Sequence, residues 1–253
     1  MTMADPSIND PRPAPDLDRV LQAEYRLLLR SVATRGRLIA LAALAVLSAL
    51  TAVLVRFSGS TDALGDGVRF VNANVATLIP VAVLVLGAAT LGDLIDDGSL
   101  VYLWLRPVPV WIHVAAAWMA TVTIAIPLVL VPIVASAMLI HPDGTLLLAT
   151  VIAGLVAIAG YGALFVTAGV RFRRALPWGL VYILIWEGFV ASAGQTATKL
   201  ALRSYVRSIL VSLTDIELRL GTFSLAVGIV VPLLAGLVAL AYATRRLART
   251  DVA

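Results

Sequence analysis

Long apolar runs broken by short polar segments set the pattern of this chain. Six runs, at about 38–55, 70–91, 113–139, 146–170, 178–193 and 222–243, are long enough or nearly so to cross a bilayer core of roughly 30 Å as helices. The fifth is the shortest and carries Glu187. Ahead of the first run, residues 1–15 are acidic and hold Pro6, Pro11, Pro13 and Pro15, which predicts a disordered tail rather than a cleavable leader. From Asp16, a plausible N-cap, the residues Leu17, Val20, Leu21, Tyr25, Leu28 and Val32 recur at helical steps. Arg19, Arg26, Arg30, Arg35 and Arg37 fall around and beyond that stripe, so 16–37 reads as an amphipathic helix in the headgroup layer. Residues 194–221 are too polar to cross. They carry Leu202, Tyr205, Val206, Ile209, Leu210 and Leu213 at helical spacing, which fits short re-entrant amphipathic helices or a plain outer loop. The expected fold is therefore an all-α polytopic membrane protein with six transmembrane helices.

Composition agrees with this class. The chain has 253 residues, 60% of them hydrophobic and 13% charged, and a mean hydropathy of +0.97, where soluble domains are roughly 45–50% apolar. Its 19 basic residues are spread over interhelical segments and are not gathered into one domain, so topology explains them better than nucleic acid does. One side of the six-span layout receives the five N-terminal arginines above with Arg12, Arg106, Arg171, Arg173, Arg174, Arg245, Arg246 and Arg249. The other receives Arg56, Arg69, Lys199, Arg203, Arg207 and Arg219. The bias predicts that both termini and the 92–109 loop face the cytoplasm.

Catalytic chemistry is not evident. There is no cysteine, and His113 and His141 have no partner at ligand spacing. No nucleophile elbow, zinc helix or phosphate-binding lysine loop occurs. Glu187, in Trp186-Glu187-Gly188, is the carboxylate expected inside a span, as either a substrate-path residue or a helix-to-helix hydrogen bond. Asn72, Asn74 and Thr77 are further candidates for a path, with the two asparagines alternatively capping the start of span two.

The most informative segment lies between spans two and three. Asp93, Asp96 and Asp97 cannot enter hydrocarbon cheaply, at roughly 2.5 kcal/mol or more each, so the segment must surface in water. Its aspartates suit the first turn of a short helix, with Leu100, Leu103 and Trp104 as an apolar face and Pro107 as its end. The series Asp93, Asp96-Asp97-Gly98-Ser99-Leu100, Leu103 and Leu105-Arg106-Pro107-Val108, followed directly by span three, resembles the segment after span two of ABC-2 type transporter permeases. Trp186-Glu187-Gly188 is similar to that family as well. Asp stands where Glu is frequent there, and Ser99 where Thr is frequent.

The resemblance implies a cytoplasmic coupling helix that seats Asp93, Asp96, Asp97, Gly98, Ser99, Leu100, Leu103, Trp104, Arg106 and Pro107 against a separate ABC ATPase subunit. It further implies a second permease subunit, identical or homologous, and an exporter of the cytoplasmic membrane whose ATP and magnesium sit in the partner ATPase, with no cofactor in this chain. Glu187, Asn72, Asn74 and Thr77 would then border the substrate path. A secondary transporter, for which no repeat is evident, and a non-transporting scaffold or regulator are the competing readings.

Overall fold

The computed structural model describes residues 17–98, 108–189, 195–218 and 223–249, and among them the chain is helical with no strand. Five helices are long and apolar enough to cross a membrane: α2 (Arg35–Arg56), α3 (Ala63–Asp96), α4 (Val110–Ile140), α5 (Gly144–Arg171) and α9 (Leu225–Leu247). Preceding them is α1 (Leu17–Val32), and between α5 and α9 lie α6 (Ala175–Glu187), α7 (Gln195–Lys199) and α8 (Leu202–Thr214).

The central pair is α3 and α5, which are mostly buried, while α2 and α9 turn most of their surface outward. Exposed Ile39, Leu50 and Leu54 on α2, and Leu234, Leu237 and Val238 on α9, form apolar faces that suit hydrocarbon and would be costly in water. Small residues set the central contact. A Cβ built on Gly169 would stand 2.6 Å from the carbonyl oxygen of Ala88, and one on Gly92 would stand 3.4 Å from the Cα of Gly169. The backbones of α3 and α5 therefore touch, as closely packed membrane helices require. Gly160 and Gly236 do the same for α5 against α9.

Prolines shape the long helices. Pro has no N–H and leaves the carbonyl four residues earlier without a donor. Just before Pro80, and around Pro127 and Pro132, the ladder shifts to π-type bonds, with the Ile79 N–H reaching Asn74 O and the Val131 N–H reaching Ile126 O.

Two contacts fix how the helix ends align. The Arg37 guanidinium pairs with the Asp93 carboxylate, joining the start of α2 to the end of α3. At the opposite ends, Arg56 Nη1 donates to Ile140 O at 2.8 Å. Leu28, Leu91, Val114 and Leu247 pack into one buried cluster. The first pole of the bundle thus holds α1, the end of α3, the start of α4 and the end of α9.

The sequence reading needs two adjustments here. The helix containing the second apolar run starts at Ala63, not near 70, because Asp62 caps it by accepting the Gly65 N–H at 2.9 Å. The amphipathic segment does not run unbroken from 16 to 37: α1 stops at Val32, α2 begins at Arg35, and α1 buries its stripe against α4. Of the run expected as span five, the described part forms α6, roughly 20 Å long, and residues 190–193 lie outside the described residues.

Candidate functional site

The acidic hinge begins as a helix end. α3 runs through Asp93 to Asp96, the Asp97 N–H donates to Asp93 O at 2.9 Å, and Gly98 follows at φ 70° with its N–H on Ile95 O at 3.3 Å. Glycine takes this left-handed conformation without the Cβ penalty and so ends the helix. The expectation that the three aspartates occupy the first turn of a new helix is thereby corrected, since they occupy the last turn and cap of α3. Nothing earlier in Ala88–Ile95 stops the helix, so it carries its acids past the apolar run. A carboxylate at this end opposes the helix dipole by a few tenths to about 1 kcal/mol, and Arg37 offsets that for Asp93. All three aspartates and Gly98 are exposed. Ser99, Leu100, Leu103, Trp104, Arg106 and Pro107 lie outside the described residues. A cleft of about 400 Å³ separates this helix end from the start of α6, lined by Gly92, Asp93, Asp96, Arg174, Leu176 and Pro177.

Glu187 is buried at 2% exposure. Its Oε1 accepts the Tyr182 hydroxyl at 2.7 Å and the Leu202 N–H at 3.0 Å, while Oε2 accepts the Arg203 N–H at 3.1 Å. Arg203 Nη1 closes the cluster by donating to Glu187 O at 3.2 Å. The carboxylate therefore caps α8, whose first N–H groups have no partner within the helix and whose dipole favours an anion there. The fully buried Tyr161 hydroxyl lies near the same carboxylate but outside hydrogen-bonding geometry. Because Leu202 also packs on Gly160, well within α5, α6 ends and α8 begins inside the bundle.

The two asparagines do different work. Neither caps the start of α3, which lies at Asp62. Half-buried Asn72 accepts from Arg207 Nε at 3.1 Å, tying α3 to α8. Asn74 is buried, accepts the Ser48 hydroxyl at 2.9 Å and donates to Phe70 O at 2.9 Å. Thr77 turns its hydroxyl back to Ala73 O at 2.8 Å. Asn74 and Thr77 both line a lateral groove of about 520 Å³ between α2 and α3, with Ser48 and Thr51 from α2 and Asp66 and Arg69 from α3 also in its lining. Glu187 and Asn72 lie outside that groove, so the four path candidates do not form one site.

One pair escaped the sequence reading. Glu24 and His113 are 2% and 3% exposed, and His113 Nδ1 stands 3.5 Å from Glu24 Oε2, with no hydrogen bond to either atom among the described residues. The signal was present. Glu24 falls in the row Val20, Glu24, Leu28, Val32, four residues apart on the face that α1 buries. Among the described residues no group of three His, Cys, Asp or Glu side chains could hold a metal ion. Compared with known proteins, the chain matches no family model and no curated protein sequence.

Proposed function

We propose that this chain is the permease subunit of an ATP-driven exporter, working as a pair of permeases with separate ATPase subunits that hold ATP and magnesium. The observation that carries the reading is the exposed acidic end of α3, Asp93 to Gly98, beside the arginine-lined cleft at the start of α6. It projects beyond the apolar part of α3 and leads directly into the segment that resembles a permease coupling helix. A rigid helix end joined to the most buried helix of the bundle is a suitable lever, because a force applied there reaches the core and not a flexible loop. In this reading α6 and α8 together complete a sixth crossing, the termini are cytoplasmic, and the substrate passes between two permeases.

The test is reconstitution with a candidate ABC ATPase subunit. Asp97→Arg combined with Leu103→Asp is expected to abolish co-purification and substrate-stimulated ATP turnover. Unchanged assembly and turnover in that variant would sink the proposal.

A secondary transporter is the second reading, favoured by the meeting of α6 and α8 at a buried carboxylate, since broken helices often hold substrates and ions in such proteins. Uptake into vesicles driven by an ion gradient without ATP decides for it.

A further inference from the structure

We propose that the turn joining α5 to α6 binds one anionic phospholipid, with its phosphate held by Arg171, Arg173 and Arg174 and an acyl chain in the pocket beside them. This requires that the chain lie in a membrane and does not depend on what it transports.

The pocket has a volume of about 310 Å³ and is lined by Leu164, Phe165, Ala168, Phe172, Trp178, Gly179 and Tyr182. The one hydroxyl among these side chains, that of Tyr182, is already bonded to Glu187. The walls thus offer hydrocarbon and ring faces, which suit an alkyl chain.

At the mouth, the Phe172 and Trp178 rings stack at 6.1 Å and are 41% and 60% exposed. The Arg171 guanidinium lies 5.3 Å over the Phe172 ring, placing a cation where the apolar pocket opens. Arg173 and Arg174 are exposed and form no ion pair with any described residue. They share a cavity with Asp96, while Asp93 is held by Arg37 and Asp97 stands exposed at the end of α3. Two cations facing Asp96, with Arg171 over the neighbouring Phe172 ring, leave a surplus of positive charge at the end of an apolar helix, the level at which headgroups and tryptophans gather.

Both halves of the ligand are needed. A soluble phosphate would answer the arginines and leave the apolar pocket empty, and a neutral lipid would fill the pocket without compensating the arginines. A phospholipid of net negative charge satisfies both.

The experiment uses the full chain in phosphatidylcholine nanodiscs, titrated with phosphatidylglycerol and analysed by native mass spectrometry for retained lipid. Wild type is expected to keep one phosphatidylglycerol in preference to phosphatidylcholine. Arg171→Gln and Arg173→Gln, both at exposed positions, should each weaken retention about fivefold. Ala168→Trp, which fills the pocket, should abolish it while leaving the arginines in place. Equal retention of phosphatidylcholine, unchanged retention in the two arginine variants, or displacement of the lipid by glycerol phosphate at equal concentration would each overturn the proposal.

Discussion

Glu187 Oε1 accepts the backbone N–H of Leu202 at 3.0 Å, so a carboxylate at the end of one short helix caps the start of another inside the bundle. A charge buried in this way is tolerated because the Tyr182 hydroxyl and two backbone N–H groups replace its hydration.

Glu187→Ala leaves those three donors without an acceptor and should lower stability by roughly 2–5 kcal/mol. Glu187→Gln keeps one acceptor and loses the charge, so a smaller loss is expected. Thermal melting in detergent checks the order. A negligible loss in Glu187→Ala would mean that the cap contributes nothing.

The Glu24–His113 pair calls for a double-mutant cycle. Replacing either residue by leucine strands the other in a buried site and should cost about 2–4 kcal/mol, whereas Glu24→Leu with His113→Leu should regain most of it. Additive losses in the double variant would show that the two side chains do not act on each other.

Gly169→Ala sets a gain in helix propensity of about 0.5–1 kcal/mol against a Cβ forced to 2.6 Å from a backbone oxygen. Backbone cannot retreat as a side-chain tip can, so a net loss of roughly 1–3 kcal/mol is expected. Gly144→Ala, with nothing within 4 Å of the added atom, should be neutral or slightly stabilising in the same melting assay.

Asn72→Leu removes the acceptor of Arg207 Nε and should loosen α8 from α3. Faster amide exchange confined to Leu202–Thr214 is the expected signature, and exchange spread evenly over the long helices would argue against a local tie.

The long apolar helices were legible because a helix in hydrocarbon must satisfy its backbone internally, which leaves hydrophobic length as the dominant signal. Glu187 was legible as an expensive residue, but its role was not, since the N–H groups it caps lie fifteen and sixteen residues further on. Glu24 was hidden by its type: a single carboxylate in an amphipathic stripe reads as polar surface unless its partner on another helix is known. The three aspartates are exposed at the end of α3 and were wrongly read as a helix start, because a cluster of aspartates suits an N-terminus by dipole and says nothing of the helix that precedes it.

The sequence by itself therefore determined that this is a helical chain with several segments able to span a membrane, and which polar residues stand out against them. Apolar length and charge are local properties, read along the chain without knowing what packs where. The tertiary structure decided that helix α6 ends at Glu187, that Asn72 ties down Arg207, that α3 and α5 touch through Gly169, and that Glu24 faces His113. Each of these depends on groups far apart in sequence meeting at a few ångströms, where hydrogen bonding and steric contact act.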